Sequence, residues 1–231
     1  MKRLNGVHLA HNKGTEHIAC VQLPLPAKVR IPMLMNMGAP CTPLVKVGDL
    51  VQVGQKIGDT EAPFSVPVHA SVSGTVTAIT EILSANGSTC KAVEIEPDGK
   101  QTVSPEVKPP VFSDRAGFVK AIRESGAVGL GGAGFPTHIE LNPKTPIDTL
   151  VINGAECEPY ITSDYRQMVE GPEEIINGIK LIMEQLQIPK AKIGIENNKP
   201  QAVKVLVELA DKYPEIEIAP LPTTYPQGAE K

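Results

Sequence analysis

Short runs in which apolar and polar residues alternate occur in the part of the chain between residues 40 and 97. The clearest examples are residues 45–57 and 68–76, where glycines separate short alternating runs. An alternation of period two predicts half-buried strands, and regular turns between them predict a small β barrel or sandwich. The proline-rich residues 105–110 then predict a stiff, extended linker.

After residue 112 the pattern changes to alternating helices and strands. Ser113 is a plausible N-cap for a first helix, which Gly126 can close. Apolar runs predict three strands, at residues 148–153, 191–196 and 216–221. Apolar residues three and four apart predict two further helices, at residues 173–187 and 200–212. This order predicts βαβ units and a parallel sheet, with ligands at the carboxyl ends of its strands.

Composition and charge exclude several classes of function. A formal net charge of −4 provides no electrostatic footprint for nucleic acid. There is no run of about 20 apolar residues to span a bilayer. The first residues lack the apolar stretch of a signal peptide, so a cytoplasmic location is expected. The four cysteines form no Cys-x-x-Cys pair and are expected to be reduced thiols rather than metal ligands.

A loop at residues 129–136 is unusually rich in glycine and reads Gly-Leu-Gly-Gly-Ala-Gly-Phe-Pro. Gly129, Gly131 and Gly134 fit the pattern G-x-G-x-x-G, but a predicted helix precedes them, whereas the dinucleotide fingerprint follows a strand. Without Cβ atoms, successive backbone N–H groups can wrap a phosphate or lie against a flat ring. The loop is therefore a candidate ligand site, with a flexible turn as the alternative.

Polar clusters follow each of the three predicted strands. Residues 153–158 read Asn-Gly-Ala-Glu-Cys-Glu, residues 196–198 read Glu-Asn-Asn, and residues 223–230 form a third polar segment. Because the carboxyl ends of parallel strands lie at one edge of a sheet, these clusters and the glycine loop are expected to converge on a single crevice.

Two motifs carry a family resemblance. Gly-Leu-Gly-Gly-Ala-Gly-Phe-Pro-Thr-His at 129–138 and Asn-Gly-Ala-Glu-Cys-Glu-Pro-Tyr-Ile-Thr-Ser-Asp at 153–164 together resemble the RnfC family of the Rnf electron transport complex. They also resemble the flavin-bearing, NADH-oxidising subunit of respiratory complex I. The Rnf resemblance implies that NADH gives hydride to FMN, which passes electrons to [4Fe–4S] clusters during NAD:ferredoxin electron transfer coupled to ion transport. It implies no catalytic acid or base.

The resemblance also implies which residues contact the cofactors. Those matching the loop beside FMN and the nicotinamide nucleotide are Gly129, Gly131, Gly132, Ala133, Gly134 and Phe135. Asn153 and Glu156 match polar contacts of the flavin, and Glu158 matches an acid near the NADH ribose. The segment that matches a further part of the flavin site contributes Tyr225, Gly228 and Glu230.

Some positions depart from the resembled families. Glu140 stands where relatives carry a lysine, and Lys144, the candidate replacement, lies four residues further along the chain. No cysteine runs for [4Fe–4S] clusters are present, so the chain is expected to be an N-terminal portion that lacks them. The implied partners are NADH, the membrane and ferredoxin-type Rnf subunits and, indirectly, ferredoxin. The implied location is peripheral, on the cytoplasmic face of the cell membrane.

Residues 47–55 and 70–76 also resemble the biotinyl and lipoyl carrier fold, a barrel-sandwich hybrid. Pro63 occupies the position of the carrier lysine, so no swinging arm is expected. The predicted fold class is α/β, with a β barrel-sandwich hybrid module followed by a Rossmann-like α/β domain with a parallel sheet. The predicted parts are a solvated or docked arm at 1–39, the hybrid module at 40–104, a linker at 105–112 and the Rossmann-like domain at 113–231.

Two alternative functions remain open. The stretch Gly-Ala-Gly-Phe-Pro-Thr-His also occurs in soluble flavoprotein reductases of the cobalamin-reductase kind, whose relatives usually begin near the glycine loop. A non-catalytic docking module of a redox complex is the second alternative, which the absent clusters and Glu140 favour.

Overall fold

The computed structural model describes residues 6–84, 87–130 and 132–228. These residues form two compact units. One comprises residues 22–143, and the other combines residues 6–21 with residues 144–228. None of the helices within the described ranges has the length and apolarity needed to cross a bilayer.

The unit at residues 22–143 contains two antiparallel sheets. Their strands are β1 (Val29–Pro32), β2 (Thr42–Pro43), β3 (Leu50–Val51), β4 (Lys56–Asp59), β5 (Val68–His69), β6 (Gly74–Leu83) and β7 (Thr89–Pro97). One sheet has the order β1-β7-β6-β3 and the other the order β2-β4-β5. β1 lies inside the segment predicted as an arm and pairs with β7.

Both sheets contribute side chains to one apolar core. The buried members include Val51 of β3, Ile57 of β4, Val76 of β6 and Ile95 of β7. Buried residues alternate at the start of β6, whereas β7 buries four consecutive residues, 92–95. The predicted small β structure is confirmed, and its strands pair antiparallel.

Two helices complete this unit, α1 (Arg115–Glu124) and α2 (Thr137–Glu140). Asp114 caps α1, because its carboxylate accepts a hydrogen bond from Gly117 N–H at 2.7 Å. The predicted cap, Ser113, is therefore wrong by one residue. Gly126 follows the helix with φ of +75°, the left-handed conformation that ends many helices.

A charged network joins β4 to α1. Arg123 donates to Asp59 at 2.7 Å, and Lys56 donates to Asp59 at 3.0 Å and also to Glu124. Burial alone would raise the pKa of Asp59, but hydrogen bonds from Arg123 and Lys56 outweigh it and lower this pKa to about 2. The network therefore keeps Asp59 ionised where the first helix meets the sheets.

The unit at residues 6–21 and 144–228 contains a parallel sheet. Its elements are β8 (Thr149–Asn153), α3 (Ser163–Glu170), α4 (Pro172–Leu186), β9 (Lys190–Glu196), α5 (Pro200–Ala210) and β10 (Ile216–Leu221). The strands lie in the order β10-β9-β8, and both pairs are parallel. The predicted parallel sheet is confirmed, and α3 is an element that the apolar pattern did not predict.

The helices bury apolar faces against this sheet. Ile179 of α4 and Leu206 of α5 belong to the same buried cluster as Ile193 and Ile195 of β9. α4 and α5 each begin with a proline, which suits the first turn because its missing N–H would have no partner there. This packing fixes the three strands, and with them the position of their carboxyl ends.

Candidate functional site

The glycine loop is a closed turn whose neck is held by backbone hydrogen bonds. Val128 and Pro136 form an antiparallel bridge, and Gly129 N–H donates to the Phe135 carbonyl at 2.9 Å. Gly132 and Ala133 at the tip are exposed, as is Leu130. Gly131 lies outside the described residues. Above this hydrogen-bonded neck the loop thus exposes Gly132, together with the side chains of Leu130 and Ala133.

Residues near the strands of the same unit pack against this loop and support it. Met37 N–H donates to the Gly134 carbonyl at 2.9 Å, and the rings of Phe64 and Phe135 pack edge to face with centroids 6.0 Å apart. Gly134 has φ of +69°, and a Cβ there would lie 3.2 Å from the Asn36 Cα. These contacts hold the glycine loop in place. Phe64 follows Pro63, the residue at the carrier-lysine position.

The three polar strand ends predicted from the sequence do meet. The Asn153 side chain, at the end of β8, donates to the Gly228 carbonyl at 2.8 Å. Glu156 N–H donates to the Glu196 carboxylate of β9 at 3.1 Å. Thr223, beyond β10, donates to the Asn197 side chain at 2.8 Å. The carboxyl edge of the sheet is therefore one hydrogen-bonded surface.

A cavity of about 210 Å³ opens at this edge. Its lining includes Glu156, Glu196, Asn198, Thr223 and Tyr225. The Asn198 Oδ1 atom is buried there and accepts no hydrogen bond from any described residue. The cavity is smaller than the roughly 300–1,000 Å³ of a complete small-molecule site, so it suits one part of a larger ligand.

Two acids and two lysines form a buried cluster at the cavity, and three of the four, Lys13, Glu156 and Glu196, line it. Lys199 Nζ lies 2.8 Å from the Glu196 carboxylate and 3.9 Å from that of Glu156, and Lys13 Nζ lies 3.5 Å from the Glu156 carboxylate. All four residues are buried. The charges balance, as burial in a low-dielectric interior requires.

The Glu156 carboxylate points into this cluster. It accepts a hydrogen bond from Asp164 N–H at 2.9 Å, at the start of α3. Burial raises the pKa of Glu156, and the Asp164 N–H and the charge of Lys13 oppose that shift. Glu156 thereby fixes the loop between β8 and α3, and its predicted contact with a flavin stays a prediction.

Of the other predicted strand-end residues, Tyr225 lines the cavity, and Glu158 and Gly228 hydrogen-bond to residues that line it. Glu158 is exposed, and its backbone carbonyl accepts from Lys13 Nζ at 2.9 Å. Tyr225 exchanges two backbone hydrogen bonds with Val7, both at 2.8 Å. Gly228 N–H donates to the Cys157 sulfur at 2.9 Å. Glu230 lies outside the described residues.

The structure thus places the predicted site residues in two groups. The loop residues Gly129, Gly132, Ala133, Gly134 and Phe135 belong to the unit at residues 22–143. The strand-end residues belong to the other unit, where they converge as predicted; they are Asn153, Glu156, Glu158, Tyr225 and Gly228. In the described part of the chain, no group of three or more His, Cys, Asp or Glu side chains is arranged to hold a metal ion.

Comparison with known proteins divides the chain into two matched parts. The family model described as "RnfC Barrel sandwich hybrid domain" matches residues 2–100, and the one described as "Nuo51 FMN-binding domain" matches residues 122–231. The chain is similar to the RnfC family along most of its length. The strands β1 to β7 lie within the first match, and the parallel strands β8 to β10 lie within the second.

Three curated relatives match over almost the whole chain. The C subunit of the Na(+)-translocating ferredoxin:NAD(+) oxidoreductase complex of Acetobacterium woodii is 44% identical, over 98% of this chain and 52% of its own length. The proton-translocating counterpart of Clostridium ljungdahlii is 41% identical, over 90% and 46%. The C subunit of the ion-translocating oxidoreductase complex of Rhodobacter capsulatus is 37% identical, over 98% and 45%. The chain spans about half the length of the relatives it matches.

Sequence reasoning missed the contribution of the N-terminal segment to this site. Lys13 and Lys199 belong to the buried cluster, and Leu9 and His11 line the cavity. Lys199 follows the Glu-Asn-Asn strand end by one residue, which is a signal for its place in the cluster. For Lys13 no local signal exists, because its partners lie more than 140 residues away.

Proposed function

We propose that this chain binds FMN and NADH as part of an ion-translocating ferredoxin:NAD+ oxidoreductase. The observation that carries the proposal is the meeting of three strand ends around a cavity, in a segment matched by an FMN-binding domain model. The names of the relatives support the same assembly. Neither a cobalamin reductase nor a docking module finds support in these comparisons.

The chemistry of the cavity fits a flavin nucleotide. The free Asn198 Oδ1 atom can accept a hydrogen bond from a ligand hydroxyl or imide N–H. Gly132 at the tip of the glycine loop has open space where a Cβ would stand, so its backbone can approach a flat ring. Interpreted in this way, the parallel sheet with α3, α4 and α5 is a Rossmann-like unit that binds at its strand ends.

Each predicted residue has a role in this proposal. The glycine loop, with Gly131 and Phe135, lies beside the flavin and the nicotinamide, while Asn153, Tyr225, Gly228 and Glu230 hold the flavin. Glu156 acts on the flavin site indirectly, because its buried carboxylate fixes the loop between β8 and α3. The exposed Glu158 accepts hydrogen bonds from the NADH ribose and repels the 2′-phosphate of NADPH.

A bound FMN would supply the chemistry of hydride acceptance from NADH and of one-electron release, and the residues named above would hold it. The protein positions the two nucleotides and excludes water, and no side chain transfers a proton. We infer that the electrons leave to [4Fe–4S] clusters outside this chain, then to ferredoxin through the other subunits. The same proposal places the chain at the cytoplasmic face of a membrane, attached through those subunits.

Anaerobic titration tests the proposal directly. Purified protein is mixed with FMN, binding is measured by quenching of flavin fluorescence, and NADH is then added while the flavin absorbance is followed. We expect FMN binding and bleaching near 450 nm by NADH. Absence of FMN binding at millimolar concentrations would refute the proposal.

Nucleotide choice is tested with Glu158→Gln. Removal of the carboxylate should lower the ratio of NADH affinity to NADPH affinity at least tenfold, because a 2′-phosphate is no longer repelled. FMN affinity should stay unchanged. Glu173→Gln, an exposed acid on α4, is the matched control and should leave the preference as in the wild type. An unchanged preference in Glu158→Gln would remove this residue from the NADH site.

A further inference from the structure

One buried lysine binds the loop between β8 and α3 from a distant part of the chain. Lys13 Nζ donates to the carbonyls of Glu156 at 2.9 Å, Glu158 at 2.9 Å and Ile161 at 2.6 Å. Its side chain is 8% exposed. An ammonium group carries three N–H donors and no acceptor, so these three carbonyls satisfy it fully.

The loop depends on such a partner because its backbone is irregular. Residues 154–162 contain neither helix nor strand, and Tyr160 adopts φ of +72°, which is costly for a residue with a side chain. Buried carbonyls outside regular structure need donors from elsewhere. Lys13 Nζ donates to three of these carbonyls, at residues 156, 158 and 161, and so holds the two ends of the loop close to each other.

The segment that carries Lys13 is itself fixed on both sides. Before it, Val7 exchanges backbone hydrogen bonds with Tyr225. After it, the hydroxyl of Thr15 hydrogen-bonds that of Thr162 at 2.6 Å, and the Glu16 carbonyl accepts from Arg166 at 2.9 Å. Residues 6–21 are therefore a docked strap, which holds the lysine at a defined position.

The strap also borders the cavity at the strand ends. Leu9, Ala10 and His11 line the cavity together with Glu156. The same segment therefore lines the proposed nucleotide site and fixes the loop that contributes Glu156, Cys157 and Pro159 to the lining. The N-terminal segment thus contributes to the proposed site itself, although it precedes the whole β module in the sequence.

We propose that Lys13 is a positioning residue, which holds residues 156–161 in the conformation that binds the nucleotide. The inference rests on the proposed function, since the ligand of this loop is the flavin nucleotide assigned above. Lys13 contacts no reacting atom. It acts through the backbone of Glu156 and Glu158, the two acids of the loop.

Hydrogen exchange and FMN binding on one pair of variants test this role. Lys13→Met removes the ammonium group and keeps most of the side-chain volume. Lys199→Met is the matched control, because Lys199 is also buried in the same cluster but contacts the Glu196 and Glu156 carboxylates and none of the three loop carbonyls. Amide exchange at residues 157–162 is measured without ligand, and FMN affinity is measured by fluorescence.

In Lys13→Met we expect exchange at residues 157–162 to rise at least tenfold and FMN affinity to fall at least tenfold. Lys199→Met should raise exchange at these amides less than threefold. Lys13→Arg restores charge and donors and should recover part of both losses. If Lys13→Met does not fold, Lys13→Arg must still show weaker FMN binding, since a planar guanidinium cannot meet three converging carbonyls as an ammonium does.

Three results would overturn the inference. Loop exchange that stays as in the wild type means that Lys13 does not hold the loop. Raised loop exchange with unchanged FMN affinity means that the loop position does not matter for binding, and equal effects in Lys199→Met mean that only the buried charge matters. Wild-type protein that binds no FMN refutes the proposed function instead, and exchange without ligand still decides whether Lys13 holds the loop.

Discussion

Two glycines of the same loop should respond in opposite ways to substitution by alanine. At Gly134 the backbone has φ of +69°, and a Cβ would lie 3.2 Å from both the Asn36 Cα and the Met35 carbonyl oxygen. At Gly132 no atom lies within 4 Å of the position that a Cβ would take, and φ is outside the left-handed region. A comparison of the two variants therefore distinguishes the effect of the supporting contacts at Gly134 from the effect of the exposed tip at Gly132.

The magnitudes follow from these geometries. A left-handed conformation costs an alanine about 1–2 kcal/mol, and the close backbone neighbours at Gly134 add to this cost. Either substitution gains about 0.4–1 kcal/mol through the unfolded chain, which alanine makes less flexible. Gly134→Ala should thus be less stable than Gly132→Ala by about 1–2 kcal/mol or more. In a protein of this size that difference corresponds to about 2–8 °C in Tm.

Thermal unfolding followed by circular dichroism measures the difference in stability, and FMN titration measures the effect of each substitution on binding. Gly132→Ala should keep or slightly raise Tm yet weaken FMN binding about tenfold, because its methyl group occupies the space that the proposed ligand needs. Equal Tm values for the two variants would refute the argument from φ and contact. Wild-type FMN affinity in Gly132→Ala would show that the loop backbone does not approach the ligand.

Two further predictions concern stability away from the loop. Because Arg123 and Lys56 lower the pKa of Asp59 to about 2, its contribution to stability is complete above the ordinary carboxyl pKa near 4 and is lost as pH falls toward 2. In Asp59→Asn the urea unfolding midpoint should therefore fall less steeply between pH 4 and pH 2 than in the wild type. The same dependence of the midpoint on pH in both proteins would contradict the network. Leu206→Ala, in the fully buried core of the parallel-sheet unit, should cost about 2–5 kcal/mol in urea unfolding, whereas Val207→Ala on the exposed side of the same helix should cost under about 1 kcal/mol; similar costs would mean that the helix faces are assigned wrongly.

Much of the parallel-sheet unit could be predicted from its apolar periodicity. α4 and α5 begin within one residue of the predicted positions, and β10 coincides with the predicted strand. α3 could not be predicted, because it buries only Tyr165 and Met168, too few positions for a helical period to stand out. β1 was missed for a similar reason, since a strand of four residues that ends in a proline gives almost no alternation.

The site could be predicted only in the parts that topology fixes. The convergence of Asn153, Glu156 and Glu196 follows from parallel strands, whose carboxyl ends share one edge. The support of the glycine loop by Phe64 and the hold of Lys13 on the β8–α3 loop could not be predicted. Both are contacts between segments far apart in sequence, and no local pattern encodes such a contact.

We infer that a flavin nucleotide binds at the carboxyl ends of β8, β9 and β10. Hydrogen exchange followed by mass spectrometry, with and without saturating FMN, measures this binding in the protein itself. We predict slower exchange at residues 153–162 in the presence of FMN, with little change along α4. Exchange at residues 153–162 that is the same with and without FMN would refute the inference.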